Sequence, residues 1–87
     1  MLPVQFTRNA LEDYAWWERH DKKMLARLHK LLDSIRENPR VGLGKPEPLQ
    51  YHLSGLWSRR LSHEHRLVYK INPDGVVVWS CRFHYAR

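Results

Sequence analysis

A single cysteine, Cys81, leaves this chain without a partner for an internal disulfide, so its fold must be held by packing. That fits a reducing compartment. Long hydrophobic runs are missing too. The longest, Val76-Val77-Val78-Trp79, is far too short to cross a bilayer. The first residues, Met1-Leu2-Pro3-Val4-Gln5-Phe6, lack the basic stretch and apolar core of a secretory signal. A soluble, cytoplasmic protein with no membrane partner is therefore expected. Internal repeats and low-complexity segments are absent, and 87 residues bound one domain, 1–87. A chain of this size buries roughly 60–70% of its unfolded surface, enough for one modest core. Metal-ligand patterns are scarce. His63-Glu64-His65 offers two imidazoles at i, i+2 with no nearby cysteine, a poor zinc set, so no metal and no other cofactor is expected.

Acidic residues are also in short supply, with nine against fifteen Lys/Arg and a net charge of +6. The imbalance is uneven. Residues 1–44 carry eight basic and six acidic side chains, whereas residues 45–87 carry seven and three, with four of the six histidines. A basic field of this kind attracts polyanions and speeds encounter with them, which points to nucleic acid or an acidic protein partner.

Leu2 to Phe6 reads as a short first strand, with Pro3 tolerable at its start or at an edge. Thr7 can cap a helix over about residues 8–19, whose Ala10, Tyr14 and Trp17 form one face. Asp21 can cap a second helix, with Met24, Leu28, Leu31, Leu32 and Ile35 at helical spacing and Leu25 widening the stripe. Asn38-Pro39 ends it, because the residue before proline avoids helix. Residues 39–48 hold three prolines and two glycines and read as an ordered connector. Prolines on both sides of Glu47 restrict its freedom. Three strands follow, Leu56 to Leu61, Arg66 to Ile71 and Val76 to His84, with a strong turn at Asn72-Pro73-Asp74-Gly75. Period-two alternation puts Leu67, Tyr69 and Ile71 on one face and Arg66, Val68 and Lys70 on the other. In the last strand it groups Val77, Trp79, Cys81 and Phe83 against Ser80, Arg82 and His84. If these strands pair, Arg66 and His84 project from one surface of the sheet.

A carboxylate, a guanidinium and an imidazole converging on one phosphate suffice for metal-free RNA cleavage. Each residue also has a structural reading. Arg66 can pair with Glu47 or Glu64, and His84 with Tyr85 can plug the core. Cys81, on the apolar side, reads as a packed thiol. Trp16, one step off the helix stripe, suits rim packing or a contact with a second copy or another protein.

The segments Gly44-Lys45-Pro46-Glu47-Pro48-Leu49, Leu53-Ser54-Gly55-Leu56-Trp57-Ser58-Arg59-Arg60, Glu64-His65-Arg66-Leu67-Val68-Tyr69 and Cys81-Arg82-Phe83-His84-Tyr85 resemble the YoeB/Txe branch of the RelE/ParE toxin superfamily. The resemblance runs over most of the chain. It implies an α+β fold, two N-terminal helices packed on a twisted, mainly antiparallel sheet as in small microbial ribonucleases. It implies a toxin of a type II toxin–antitoxin pair that cleaves mRNA in the ribosomal A site. An acidic YefM-type antitoxin would neutralise it, homodimers are possible, and DNA would be contacted only through the antitoxin complex. The family's catalytic set falls on Glu47, Arg66, His84 and Tyr85. Glu47 would be the general base, His84 the general acid, Arg66 the clamp on the phosphate, and Tyr85 a phosphate or base contact. Lys45, Arg59, Arg60 and Arg82 would be further RNA contacts. Gln50 and Tyr51 depart from the basic residue and histidine expected there in some relatives, which bears on finer RNA or ribosome contacts. ParE-type toxins share the fold and poison DNA gyrase without this residue set, which leaves a non-catalytic inhibitor as the alternative.

Overall fold

A computed structural model describes residues 2–84. The chain runs β1 (Val4–Phe6), α1 (Arg8–His20), α2 (Lys22–Glu37), β2 (Glu47–Pro48), a 3-10 turn (Tyr51–Leu53), β3 (Leu56–Arg60), β4 (Arg66–Asn72) and β5 (Gly75–Ser80). Both expected caps are in place. The Thr7 hydroxyl accepts the Ala10 N–H at 3.1 Å and the Asp21 carboxylate accepts the Met24 N–H at 3.0 Å, each satisfying a donor that the helix start leaves unpaired. Asn38, with extended backbone, ends α2 as the following proline requires.

The five strands form one sheet in the order β1-β5-β4-β3-β2. β1 lies parallel to β5, and the remaining neighbours are antiparallel. The two helices cover one face. Leu28, Leu31, Leu32 and Ile35 of α2 and Ala10 and Trp17 of α1 pack there against Leu67, Tyr69, Val76, Val78 and Cys81. Burying each large aliphatic side chain contributes about 1.5–3 kcal/mol, so this layer carries the fold. The other face, left open by the helices, holds Leu56, Ser58 and Arg60 of β3 with Arg66, Val68 and Lys70 of β4; Ser58 and Val68 at its centre are buried, while Arg60 and Lys70 are exposed.

The last strand departs from simple alternation in two ways. It ends at Ser80, four residues before the expected limit. Its core-facing residues are Val76 and Val78, whereas Val77 is half-buried and Trp79 is 46% exposed. The cause is a bulge. Tyr69 pairs with Val78 and Val68 with Ser80, so Trp79 is an extra residue with no partner on β4. The parity flips there, which returns Ser80 to the open face and Cys81 to the core, as alternation had placed them. Thr7 fixes the bulge, donating its N–H to the Val78 carbonyl and its hydroxyl to the Trp79 carbonyl, both at 3.0 Å.

Candidate active site

The register of the open face brings the expected residues toward one another. Glu47 pairs with Ser58, Ser58 with Val68, and Val68 with Ser80, so these four share one cross-strand row. Directly paired residues point to the same side of a sheet. The next row is Arg60 opposite Arg66. Two guanidinium groups facing each other across a ladder repel, and a phosphate between them would relieve that repulsion. No carboxylate among the described residues forms an ion pair with Arg66, so neither Glu47 nor Glu64 neutralises it. Arg66 is anchored instead through Nη1, which donates to the carbonyls of Ser62 at 2.9 Å and of His63 and His65 at 3.2 Å. One edge of the guanidinium is thereby held by backbone, which orients the rest.

His84 arrives by a different route from the expected strand. Beyond Ser80 the chain is gripped by α1. The Asp13 carboxylate, buried in the core layer, accepts the Cys81 N–H at 3.0 Å, and the Trp17 indole donates to the Cys81 carbonyl at 2.8 Å. Two residues on, Phe83 has φ +68°, a conformation uncommon for a bulky side chain, and two bonds hold it. Its N–H donates to His65 Nδ1 at 2.7 Å, and its carbonyl accepts the Arg66 N–H at 2.8 Å. His84, the exposed next residue, therefore starts from beside Arg66. Tyr85 lies outside the described residues.

The further RNA contacts divide. Lys45 and Arg60 are exposed, near Glu47 and Arg66 respectively. Arg82 is half-buried and stacks its guanidinium 3.7 Å over the Trp16 ring and 4.5 Å from Phe83. Trp16 is thus packed at the rim between Arg82, His20 and Trp17. Arg59 is a correction. It is fully buried, and its donors are consumed internally by Tyr69 Oη, Ser34 Oγ and the carbonyls of Leu43, Asn38 and Val41 at 2.7–3.0 Å. It fastens the 38–44 connector and is not presented to RNA. In an Arg59-Arg60 pair on a strand one member must face inward, and nothing in the residue order marks the inner one as having carbonyl partners. Burial pushes the Tyr69 phenol up, against the opposing pull of Arg59, so it stays a donor to the Pro39 carbonyl at 2.7 Å.

Asp13, Trp17 and His65 form the positioning group that sequence reasoning missed. Asp13 carried a signal, since it sits on the apolar stripe between Ala10 and Trp17. His65 packs edge-on to Trp17 with ring centroids 4.8 Å apart. Burial lowers its pKa, with Glu64 and Asp13 pulling upward and Arg82 reinforcing the drop. The neutral ring is also the form whose Nδ1 accepts the Phe83 amide. A histidine whose folded pKa is depressed adds stability above its unfolded pKa, near ~6.5, and loses it as pH falls toward the folded value. Below pH ~6 the melting temperature of the wild type is expected to drop more steeply than that of His65→Asn, which cannot titrate. Parallel pH profiles for the two proteins would refute the assignment.

Among the described residues no three His, Cys, Asp or Glu side chains come together as a metal site, and no helix is long and apolar enough to cross a membrane.

A two-helix layer on this mixed five-stranded sheet is the fold of a class of small bacterial toxins. YafQ of Escherichia coli, at 17% identity, matches it with a TM-score of 0.79 over 97% of this chain and 94% of its own. A toxin described as YoeB/ParE from Agrobacterium tumefaciens matches with a TM-score of 0.92 at 39% identity, covering 98% of this chain and 100% of that one. Residues 6–85 match the family model of the YoeB-like toxin of bacterial type II toxin–antitoxin systems. A curated relative, toxin YoeB of Synechocystis sp., is 48% identical over 99% of this chain and 100% of its own length. Toxin YoeB of Escherichia coli is 41% identical over 97% and 100%. This chain belongs to the YoeB-like toxins and is the toxin component of a type II toxin–antitoxin system.

Proposed function

We propose that this toxin is a ribosome-dependent mRNA endoribonuclease that cleaves in the A site without a metal ion. What supports the reading is the open-face register, which sets Glu47 one row from Arg60 and Arg66 and starts His84 beside Arg66. Glu47 takes the proton of the 2′-hydroxyl, and the freed oxygen attacks the adjacent phosphorus. The bond to the 5′-oxygen breaks, and His84 gives that oxygen a proton. Arg66, with Arg60 beside it, stabilises the charge gathering on the phosphoryl oxygens. The products are a 2′,3′-cyclic phosphate, or the 3′-phosphate formed by its hydrolysis, and a 5′-hydroxyl. Tyr85 completes the set as a phosphate or base contact, and Lys45 extends the cationic rim.

The partner is an acidic antitoxin of the YefM type that binds the basic face or its border. A Staphylococcus aureus structure described as a YoeB-YefM complex has a TM-score of 0.88 and 42% identity, covering 98% of this chain and 99% of that one, which supports the pairing. Another from the same organism is described as a YoeB dimer, so self-association belongs to the proposal as well.

The mechanism is tested with ribosomes programmed with a short message carrying 2′-O-methyl ribose at the attacking position. Cleavage there should vanish while the all-ribose message is cut. Cutting of the methylated message at the same bond would overturn the reading.

A further inference from the structure

We propose that a cavity beside the candidate site receives one nucleobase of the RNA, with Trp79 as its stacking platform. The proposal rests on the nuclease reading above. The cavity, about 380 Å³, lies over the open face under the 49–55 segment. Its floor includes Val68 and Ser80, which share the cross-strand row of Glu47, and Leu56 and Lys70 of the next row, on the side away from Arg60 and Arg66. Adjacent rows on one face are roughly 7 Å apart. A strand whose phosphate meets Glu47 and Arg66 therefore carries a neighbouring nucleotide over this cavity.

The lining suits a base. Leu49 and Leu53 contribute apolar surface from the overlying segment, and Trp79 adds a large ring. Side chains of Asn9 and His52 supply groups that can hydrogen-bond a base edge, which is how single-stranded RNA is read. Lys70 places a cation at the floor, and the chain as a whole carries +6, which favours a polyanion over an uncharged partner. Trp79 is the extra residue of the bulge, without a register partner on β4 and nearly half exposed. Bulges re-aim side chains and concentrate beside active sites. An exposed indole so placed has no role in the core.

The test measures cleavage rates of wild type, Trp79→Ala and Trp79→Phe on programmed ribosomes. The messages carry an abasic nucleotide at each position flanking the cut in turn. Trp79→Ala should lose on the order of ten- to hundredfold, the usual range for removing a base-stacking aromatic, and Trp79→Phe should restore most of it. One abasic position should lower the wild type to the Trp79→Ala rate and leave that variant unchanged. The fall in the wild-type rate at one abasic position needs no substitution, and its absence at every position would overturn the subsite even if Trp79→Ala folds poorly. Equal rates for wild type and Trp79→Ala on every message would overturn the subsite. So would a loss confined to antitoxin affinity, which would make the cavity a protein contact. If the wild type cuts no message, the nuclease reading falls, and the subsite is then judged by titrating a trinucleotide against the Trp79 indole N–H resonance. A shift of that resonance sustains it, and an unmoved resonance sinks it.

Discussion

Arg59→Met is expected to remove about 3–5 kcal/mol of stability, the scale seen when a buried, hydrogen-bonded charge network is broken. Whole domains of this size hold only ~4–13 kcal/mol, so the variant should be unfolded or close to it at growth temperature. Five hydrogen bonds disappear together, three of them to backbone carbonyls of Asn38, Val41 and Leu43. Among the described residues no side-chain carboxylate shares this network. The positive charge is held by carbonyl and hydroxyl oxygens alone, so the connector and the arginine depend on each other. Arg59→Lys should be nearly as damaging, because a compact ammonium cannot span the same acceptors as the planar fork of arginine. The effect should reach the site as well. The connector passes into Gly44, whose carbonyl accepts the Arg60 N–H at 2.6 Å, and then into Glu47. Urea midpoints for wild type and both variants would measure this, and a loss under ~1 kcal/mol for Arg59→Met would show the hub to be dispensable.

His84→Ala is expected to have the opposite profile, with a melting temperature close to wild type and cleavage reduced ~10²–10⁴-fold, the usual contribution of a general acid. The side chain is exposed, so truncating it leaves the core intact. Mapping message 5′ ends in cells expressing each form, alongside growth, would show it. A variant as toxic as wild type with undiminished cleavage would end the assignment of His84 as the acid. Taken together, the two substitutions would separate a residue that holds the fold from one proposed to act in the site.

Much of the fold could be read from the residues because local and global preferences agree. Thr7 and Asp21 are good caps in front of good amphipathic stripes, and Asn72 to Gly75 is an unambiguous turn. The helix limits fell within a residue of observation for these reasons. The last strand was misread where a local rule failed. Alternation cannot anticipate an inserted residue, and Val76 to Trp79 is apolar on both faces, so nothing in the composition marked which valines turn inward. The candidate residues could be named from their chemistry, but the side chains that position them were harder to read. Asp13 is marked only by its place on the apolar stripe and His65 looks like a turn residue, and only the bonds to the Cys81 and Phe83 amides show what they hold. Arg59 looked like its neighbour Arg60 because the two differ only in which side of one strand they occupy.

The parallel pairing of β1 with β5 also governs when this protein can exist in folded form. The earliest strand of the sheet waits for the latest, and the helical hairpin between them has no platform until β4 and β5 join. Contacts so distant in sequence form late. A chain still emerging during synthesis therefore carries helices without an assembled sheet, and the sheet closes only after Val76 to Ser80 have cleared the exit tunnel.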